Sequence, residues 1–182
     1  MVESTFVTPA KIVKLSGIDE GMKVADFGAE SGFFTRAAAR AVGVGGVVWA
    51  VDSRADLLPR IKNVAEAEGL TNVEVVRGEV DHLGGTHLPE ATFDAVLVCN
   101  TLFGLECKDC LADEVSRVLK VGGIVVLVDW QGSFGGLGPH PDHVITEPQA
   151  RTLFEQHGFV YQGPLPAGEY HWGCILKKKK TK

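Results

Sequence analysis

The chain has 182 residues, 45% of them hydrophobic, and a formal net charge of −5, which suits one globular domain over residues 1–182. Five lysines form the tail (177–180 and 182), so the rest sets thirteen basic against twenty-three acidic side chains, a balance of −10 that argues against a nucleic-acid substrate. No apolar run is long enough to cross a bilayer, and Cys99, Cys107, Cys110 and Cys174 are too sparse for a disulfide scaffold.

At the N-terminus, Met1–Thr5 has no basic region followed by an apolar run. No signal peptide is expected, and a reduced, cytoplasmic protein is. Thr8-Pro9 reads as a helix start, with Thr8 as N-cap and Pro9 at the first helical position. Ile12, Val13 and Leu15 give that helix one apolar side, and Gly17 closes it. Met22 to Phe27 is a short apolar run with Asp26 near its end, a buried parallel strand. Gly28 to Gly32 is a tight turn, and Phe33 to Val42 is a strong helix former. Strand, glycine turn and helix start bring a ligand close to bare backbone and to the free N–H groups of the first helical turn. A dinucleotide fingerprint would read Gly-x-Gly-x-x-Gly with its acid further on. Here Asp26 comes two residues before Gly28, so a carboxylate sits inside the turn and suits a cation rather than a pyrophosphate.

This Asp-x-Gly-x-x-x-Gly segment resembles motif I of the class I S-adenosylmethionine-dependent methyltransferases, which typically reads Asp-x-Gly-x-Gly-x-Gly. The resemblance implies an α/β fold: a doubly wound, seven-stranded, mostly parallel sheet with a C-terminal antiparallel hairpin, in three α/β/α layers. It implies S-adenosylmethionine as cofactor, with Asp26, Gly28 and Gly32 around its methionine end. Glu30 stands where the family usually has its middle glycine. It is expected either to accept a strained backbone or, the favoured reading, to keep ordinary φ with its side chain aimed out of the turn or toward the cofactor's amino group.

Val47 to Asp52 is the second strand, and Asp52 ends it twenty residues after Gly32. An acid at that place is positioned for ribose hydroxyls, with Ser53 beside it; the alternative is a helix N-cap for Arg54 onward. Leu57, Leu58, Ile61, Val64 and Ala65 recur at helical spacing, and Asn72 to Arg77 is the third strand. The resemblance places Glu79 at the adenine amino group, Val80 beside the ring and Asp81 in reserve. Phe93 to Asn100 resembles motif IV, whose end faces the transferred methyl, which makes Asn100 a cofactor-site residue. Thr101-Leu102-Phe103 follows instead of Pro-Pro-Tyr, which argues against methylation of exocyclic base amines.

Cys107-Lys108-Asp109-Cys110 is a lone Cys-x-x-Cys without a partner pair, a poor zinc site, and no metal is expected. A helix then ends on Lys120 and Gly122-Gly123, and Ile124 to Trp130 is a fifth buried strand. The glycine-rich loop from Gln131 to His143 leaves that strand where α/β sheets bind ligands. Thr146-Glu147-Pro148 caps another helix, and residues 158–161 and 169–176 read as a closing hairpin.

Methyl transfer from a sulfonium is an in-line displacement, so alignment and exclusion of water dominate, and a base is needed only when the acceptor must lose a proton. His140, His143 and Asp129 are the candidate bases, since all lie at or beyond the end of the fifth strand. With no cap domain, a small-molecule acceptor would sit among the N-terminal helix, the His82 to Pro89 loop and the Gly132 to His143 loop. A non-catalytic S-adenosylmethionine-binding or interaction protein of the same fold is the alternative, motivated by Glu30. A nicotinamide-dependent oxidoreductase is disfavoured by the Asp-x-Gly order and the hairpin. The sequence implies no particular oligomeric state.

Overall fold

The computed structural model describes residues 6–180, so the readings of Met1–Thr5 and of Lys182 lie outside the described residues. Five helices and seven strands follow in order: α1 Pro9–Leu15, β1 Lys23–Phe27, α2 Phe33–Val42, β2 Val47–Asp52, α3 Leu57–Ala67, β3 Val73–Arg77, β4 Phe93–Cys99, α4 Lys108–Val118, β5 Leu119–Trp130, α5 Glu147–Gln156, β6 Phe159–Pro164 and β7 His171–Lys178. The sheet order is β3-β2-β1-β4-β5-β7-β6. The first five strands run parallel, while β7 is antiparallel to both β5 and β6. The chain winds outward from β1 through β2 to β3, then crosses back to β4. That reversal between β1 and β4 is where an open α/β sheet forms its crevice.

The central strands are buried on both faces, which is why they read as unbroken apolar runs. Val24, Ala50, Leu97 and Val126 pack with α1, α2 and α3 on one face. Ala25, Phe27, Val96 and Leu127 pack with α4 and α5 on the other. The three-layer sheet with its closing hairpin is the fold that the motif I resemblance implied.

Some local expectations are corrected. Thr8 is the N-cap of α1 and Pro9 its first residue, as read, but the Thr8 side chain makes no capping bond and its carbonyl takes the Lys11 and Ile12 N–H groups. Helix α4 stops at Val118, and Lys120 to Gly123 belong to β5, where they bulge out between the Phe93–Leu119 and Ala95–Ile124 pairs. Cys107 and Cys110 form a disulfide at the start of α4, rather than staying reduced. The 82–89 loop borders neither cavity at the strand ends and is held by the buried Glu114 carboxylate, which accepts from the Gly84 N–H at 2.6 Å and from the Thr86 hydroxyl. By contrast, α5 opens as read, with Gln149 Oε1 accepting the Thr146 N–H at 2.9 Å.

Candidate functional site

A cleft opens over the carboxyl ends of β1, β2, β3 and β4 in two lobes of about 240 and 300 Å3. Gly28, Glu30 and Asn100 border both lobes. Asp52, Ser53, Glu79, Val80 and Asp81 line the first; Asp26, Phe33, Phe34 and Cys99 line the second, with Val7 and Pro9 above. Eight of the nine cofactor-site candidates therefore surround one cleft. The ninth, Gly32, lies behind the turn, where it starts α2 at φ +71 and packs against Ile61.

Each carboxylate is fixed by the turn that surrounds it. Asp26, the penultimate residue of β1, has 2% of its surface exposed, and the Thr35 hydroxyl from the first turn of α2 donates to its Oδ2 at 2.5 Å. Burial pushes its carboxyl up to about 6, against the opposing effect of the Thr35 hydrogen bond. Asp52 is also buried, and its two oxygens accept the Glu30 and Arg54 N–H groups at 2.9 and 3.0 Å. The helix N-cap weighed against the ribose role is not formed, since α3 starts at Leu57; Asp52 caps only the turn at Arg54, and each oxygen keeps a second lone pair for a ligand hydroxyl.

Gly28 holds φ +72, and a Cβ on it would lie 2.5 Å from the Thr101 hydroxyl oxygen. That hydroxyl is committed to the Phe27 and Cys99 carbonyls, both at 3.1 Å, so only glycine leaves the turn closed against β4. Glu30 adopts φ +46. The favoured reading of an ordinary φ is therefore overturned. The carboxylate of Asp52 takes the Glu30 N–H, and the left-handed geometry comes with that hydrogen bond. The Glu30 side chain points partly outward, its Oε1 3.9 Å from the Arg54 guanidinium. Burial raises its carboxyl above the usual range, although Arg54 opposes the shift.

Residues 24–123, more than half of the chain, match the family described as a methyltransferase domain. The ubiquinone/menaquinone biosynthesis C-methyltransferase of Chromobacterium violaceum is 31% identical over 127 residues, covering 70% of this chain and 50% of that protein. An arsenite methyltransferase of Aquipseudomonas alcaligenes is 33% identical over 115 residues, covering 60% of this chain and 33% of that protein. In three dimensions, a SAM-dependent methyltransferase from Aquifex aeolicus matches with a TM-score of 0.85 at 27% identity, covering 95% of this chain and 90% of that one. The chain belongs to the class I S-adenosylmethionine-dependent methyltransferases. It spans half or less of the length of the first two relatives.

The cleft of this methyltransferase fits the family's cofactor by its donor set. Asn100 follows β4 at φ +56, and its Oδ1 is buried without a partner among the described residues. A buried acceptor left open costs free energy, so its place between the lobes matches a ligand donor. Around it stand carboxylates, carbonyls and glycines, a surface for ammonium, hydroxyl and amine groups.

The three candidate bases lie elsewhere. Asp129 is fully buried and lines neither lobe. Its Oδ1 accepts the Trp130 N–H at 2.8 Å and its Oδ2 the Phe103 N–H at 3.3 Å, and burial pushes its carboxyl up to about 6. It holds the loop after β4 against β5 and faces no open space. His140 is exposed and accepts the Asp142 N–H at 3.4 Å, inside a turn of its own loop. His143 borders a third cavity of about 570 Å3 with Phe103, Leu105, Lys108 and Gln149, which adjoins the first lobe through residues 103–105. Turn chemistry accounts for the His140 side chain, while His143 enters the turn only through its backbone N–H to the His140 carbonyl.

Thr35, Thr101 and Arg54 were not singled out from the sequence. Thr35 was legible as a hydroxyl in the first turn of a helix that follows a buried acid. Thr101 and Arg54 act across strands, and nothing local marks them.

Proposed function

We propose that residues 1–182 work as one S-adenosylmethionine-dependent methyltransferase domain, in the cytoplasm, on a small-molecule acceptor. The observation that carries this reading is the pair of buried carboxylates, Asp26 and Asp52, ending neighbouring strands in adjacent lobes with the open Asn100 Oδ1 between them. S-adenosylmethionine, when bound, supplies a methyl carbon already activated by its sulfonium. The chain's own residues bind, orient and exclude water. Asp52 and Ser53 hold the ribose diol, and Glu79 and the Val80 backbone hold the base. Asp26 and Asn100 receive the cationic amino group, with Gly28 allowing close backbone approach. Val7, Pro9 and Phe34 cover the second lobe and keep water from the reacting centre.

The relatives' names specify either a carbon acceptor in quinone biosynthesis or arsenite. Arsenic binding favours thiolates. Among the described residues, Cys107 and Cys110 are paired and Cys99 and Cys174 are buried, which favours an organic acceptor. Calorimetric titration with S-adenosylhomocysteine, followed by an acceptor screen with methyl-labelled donor, tests the proposal. Absence of S-adenosylhomocysteine binding overturns it.

The second reading, a non-catalytic S-adenosylmethionine-binding or interaction protein of the same fold, rests on Glu30 at φ +46 in place of a glycine. Binding that appears only in Glu30→Gly would favour the interaction protein.

A further inference from the structure

Asp129 is a fully buried acid in β5 that borders neither lobe of the cleft. Burial pushes its carboxyl up to about 6, and the backbone N–H groups of Trp130, Phe103, Leu102 and Thr101 oppose the shift. A carboxylate in the interior costs free energy that an apolar side chain of its size would not, so the fold keeps it for what those donors gain.

Three of the four donors belong to one turn. Leu102–Gly104 is a 3-10 turn that follows β4, with Thr101 as its N-cap residue. The first N–H groups of such a turn have no partner inside it. The Thr101 side chain does not answer them, because its hydroxyl is committed to the Phe27 and Cys99 carbonyls. Asp129 caps the turn instead, from the neighbouring strand. Its Oδ2 accepts the Phe103 N–H at 3.3 Å, while the Trp130 N–H fixes its Oδ1 at 2.8 Å. On the other side of the same junction, the Asn100 N–H donates to the Val128 carbonyl at 2.8 Å. Asn100 is therefore bracketed by two consecutive residues of β5. Between those anchors it holds φ +56. A residue with a side chain is uncommon there and persists only where its surroundings over-determine it. The Asn100 Oδ1 is the buried, unpartnered acceptor, and Asn100 borders both lobes.

We propose that Asp129 is a positioning residue for the cofactor: its carboxylate caps the turn after β4 and so holds Asn100 in the left-handed conformation that keeps Oδ1 open between the lobes. The inference deepens the methyltransferase reading and rests on its assignment of Asn100 to the cofactor's amino group. Asp129 acts only through Asn100 and touches neither cofactor nor acceptor. Asparagine at position 129 would keep the shape and one acceptor oxygen, but its amide would set a donor against the donors of the turn.

The test is a double-mutant cycle. Asn100→Ala, Asp129→Asn and the double variant are titrated with S-adenosylhomocysteine by calorimetry at pH 8, below their melting temperatures. Each single change should weaken binding about tenfold, the worth of one hydrogen bond to a charged group. The double variant should bind within about twofold of Asn100→Ala, because groups that act as one unit are not additive. A loss of about a hundredfold in the double variant, the product of two independent effects, overturns the proposal. In ligand-free protein, the Asn100 Cα and Cβ shifts report its backbone conformation by NMR. They should be left-handed in wild type and leave that range in Asp129→Asn; unmoved shifts overturn the proposal. Should Asp129→Asn fail to fold, amide hydrogen exchange of wild type decides. The Phe103 N–H should exchange as slowly as the amides of β4, and exchange at the rate of an unprotected loop amide overturns the cap. A wild type that binds no S-adenosylhomocysteine, with the Asn100 shifts moving as expected, would sink the methyltransferase reading and leave the hold of Asp129 on Asn100 standing.

Discussion

The Glu30 N–H donates to Oδ2 of Asp52 at 2.9 Å, which ties the turn after β1 to the end of β2. One carboxylate therefore serves two purposes: it shapes the turn that replaces the family's Gly-x-Gly, and it presents its remaining lone pairs to the first lobe. Asp52→Ala removes both. A charge-assisted hydrogen bond is worth about 1.5–3 kcal/mol, so affinity for S-adenosylmethionine should fall at least about tenfold. The melting temperature should also drop, since the Glu30 and Arg54 N–H groups lose their acceptor. Calorimetry and thermal unfolding measure the two effects, and unchanged affinity would remove Asp52 from the site.

Glu30→Gly isolates the cost of the left-handed residue. A side chain at φ +46 costs about 1–2 kcal/mol relative to a right-handed one, and glycine pays no such penalty. Part of that gain is offset by glycine's greater freedom in the unfolded chain. The lost contact to Arg54, at 3.9 Å between two half-exposed side chains, contributes little. The variant should be more stable by about 1 kcal/mol, roughly 2–4 °C in melting temperature for a chain of this size. Cofactor affinity should change modestly. A lower melting temperature would show that the Glu30 side chain, not its backbone, matters to the fold.

The sheet was legible because central parallel strands buried on both faces leave unbroken apolar runs, three of which, in β1, β2 and β4, close near Asp26, Asp52 and Asn100. The cleft was legible for the same reason: its walls are the residues just past those runs. What escaped the sequence lies in hydrogen bonds between distant segments. Glu30 was read with an ordinary φ because the Asp52 bond that accompanies its left-handed turn spans 22 residues. Asp129 looked like a base because it ends a strand beside a glycine-rich loop. The structure shows that a strand-end acid can equally be consumed by backbone N–H groups, and the local pattern does not distinguish the two.

Burial holds the Asp26 carboxyl at about 6 in the folded protein, against 3.8 when free. Between those values the folded state binds more protons than the unfolded one, so this group's contribution to stability declines as pH rises from about 4 to about 6 and stays low above. Asp26→Asn cannot ionise and keeps an oxygen for the Thr35 hydroxyl. In cofactor-free protein the variant should melt higher than wild type at pH 8, by up to about 3 kcal/mol, with the gap closing toward pH 4. S-adenosylmethionine binding should move the other way. Wild-type affinity should weaken as pH falls through 6 and the carboxylate is neutralised, whereas the variant should bind weakly at every pH. A melting difference independent of pH would refute the burial argument.

His157 offers a test of opposite sign. Its ring nitrogens lie 2.7 Å from Asp113 Oδ1 and 3.1 Å from Asp109 Oδ1, clamping the end of α5 to α4. Burial by itself would lower its pKa, but hydrogen bonds and charge from the two aspartates outweigh this and raise it above 6.5. A cation stabilised in the folded state contributes fully below the unfolded value and loses that contribution as pH rises through the folded one. Wild-type stability should therefore contain a component that fades above pH 6.5, and it should be absent in His157→Gln. Salt should weaken it too, because both aspartates are largely exposed. Thermal unfolding of the two proteins from pH 5.5 to 8.5 measures it. Parallel curves across that range would mean that the clamp is held by neutral hydrogen bonds rather than by charge.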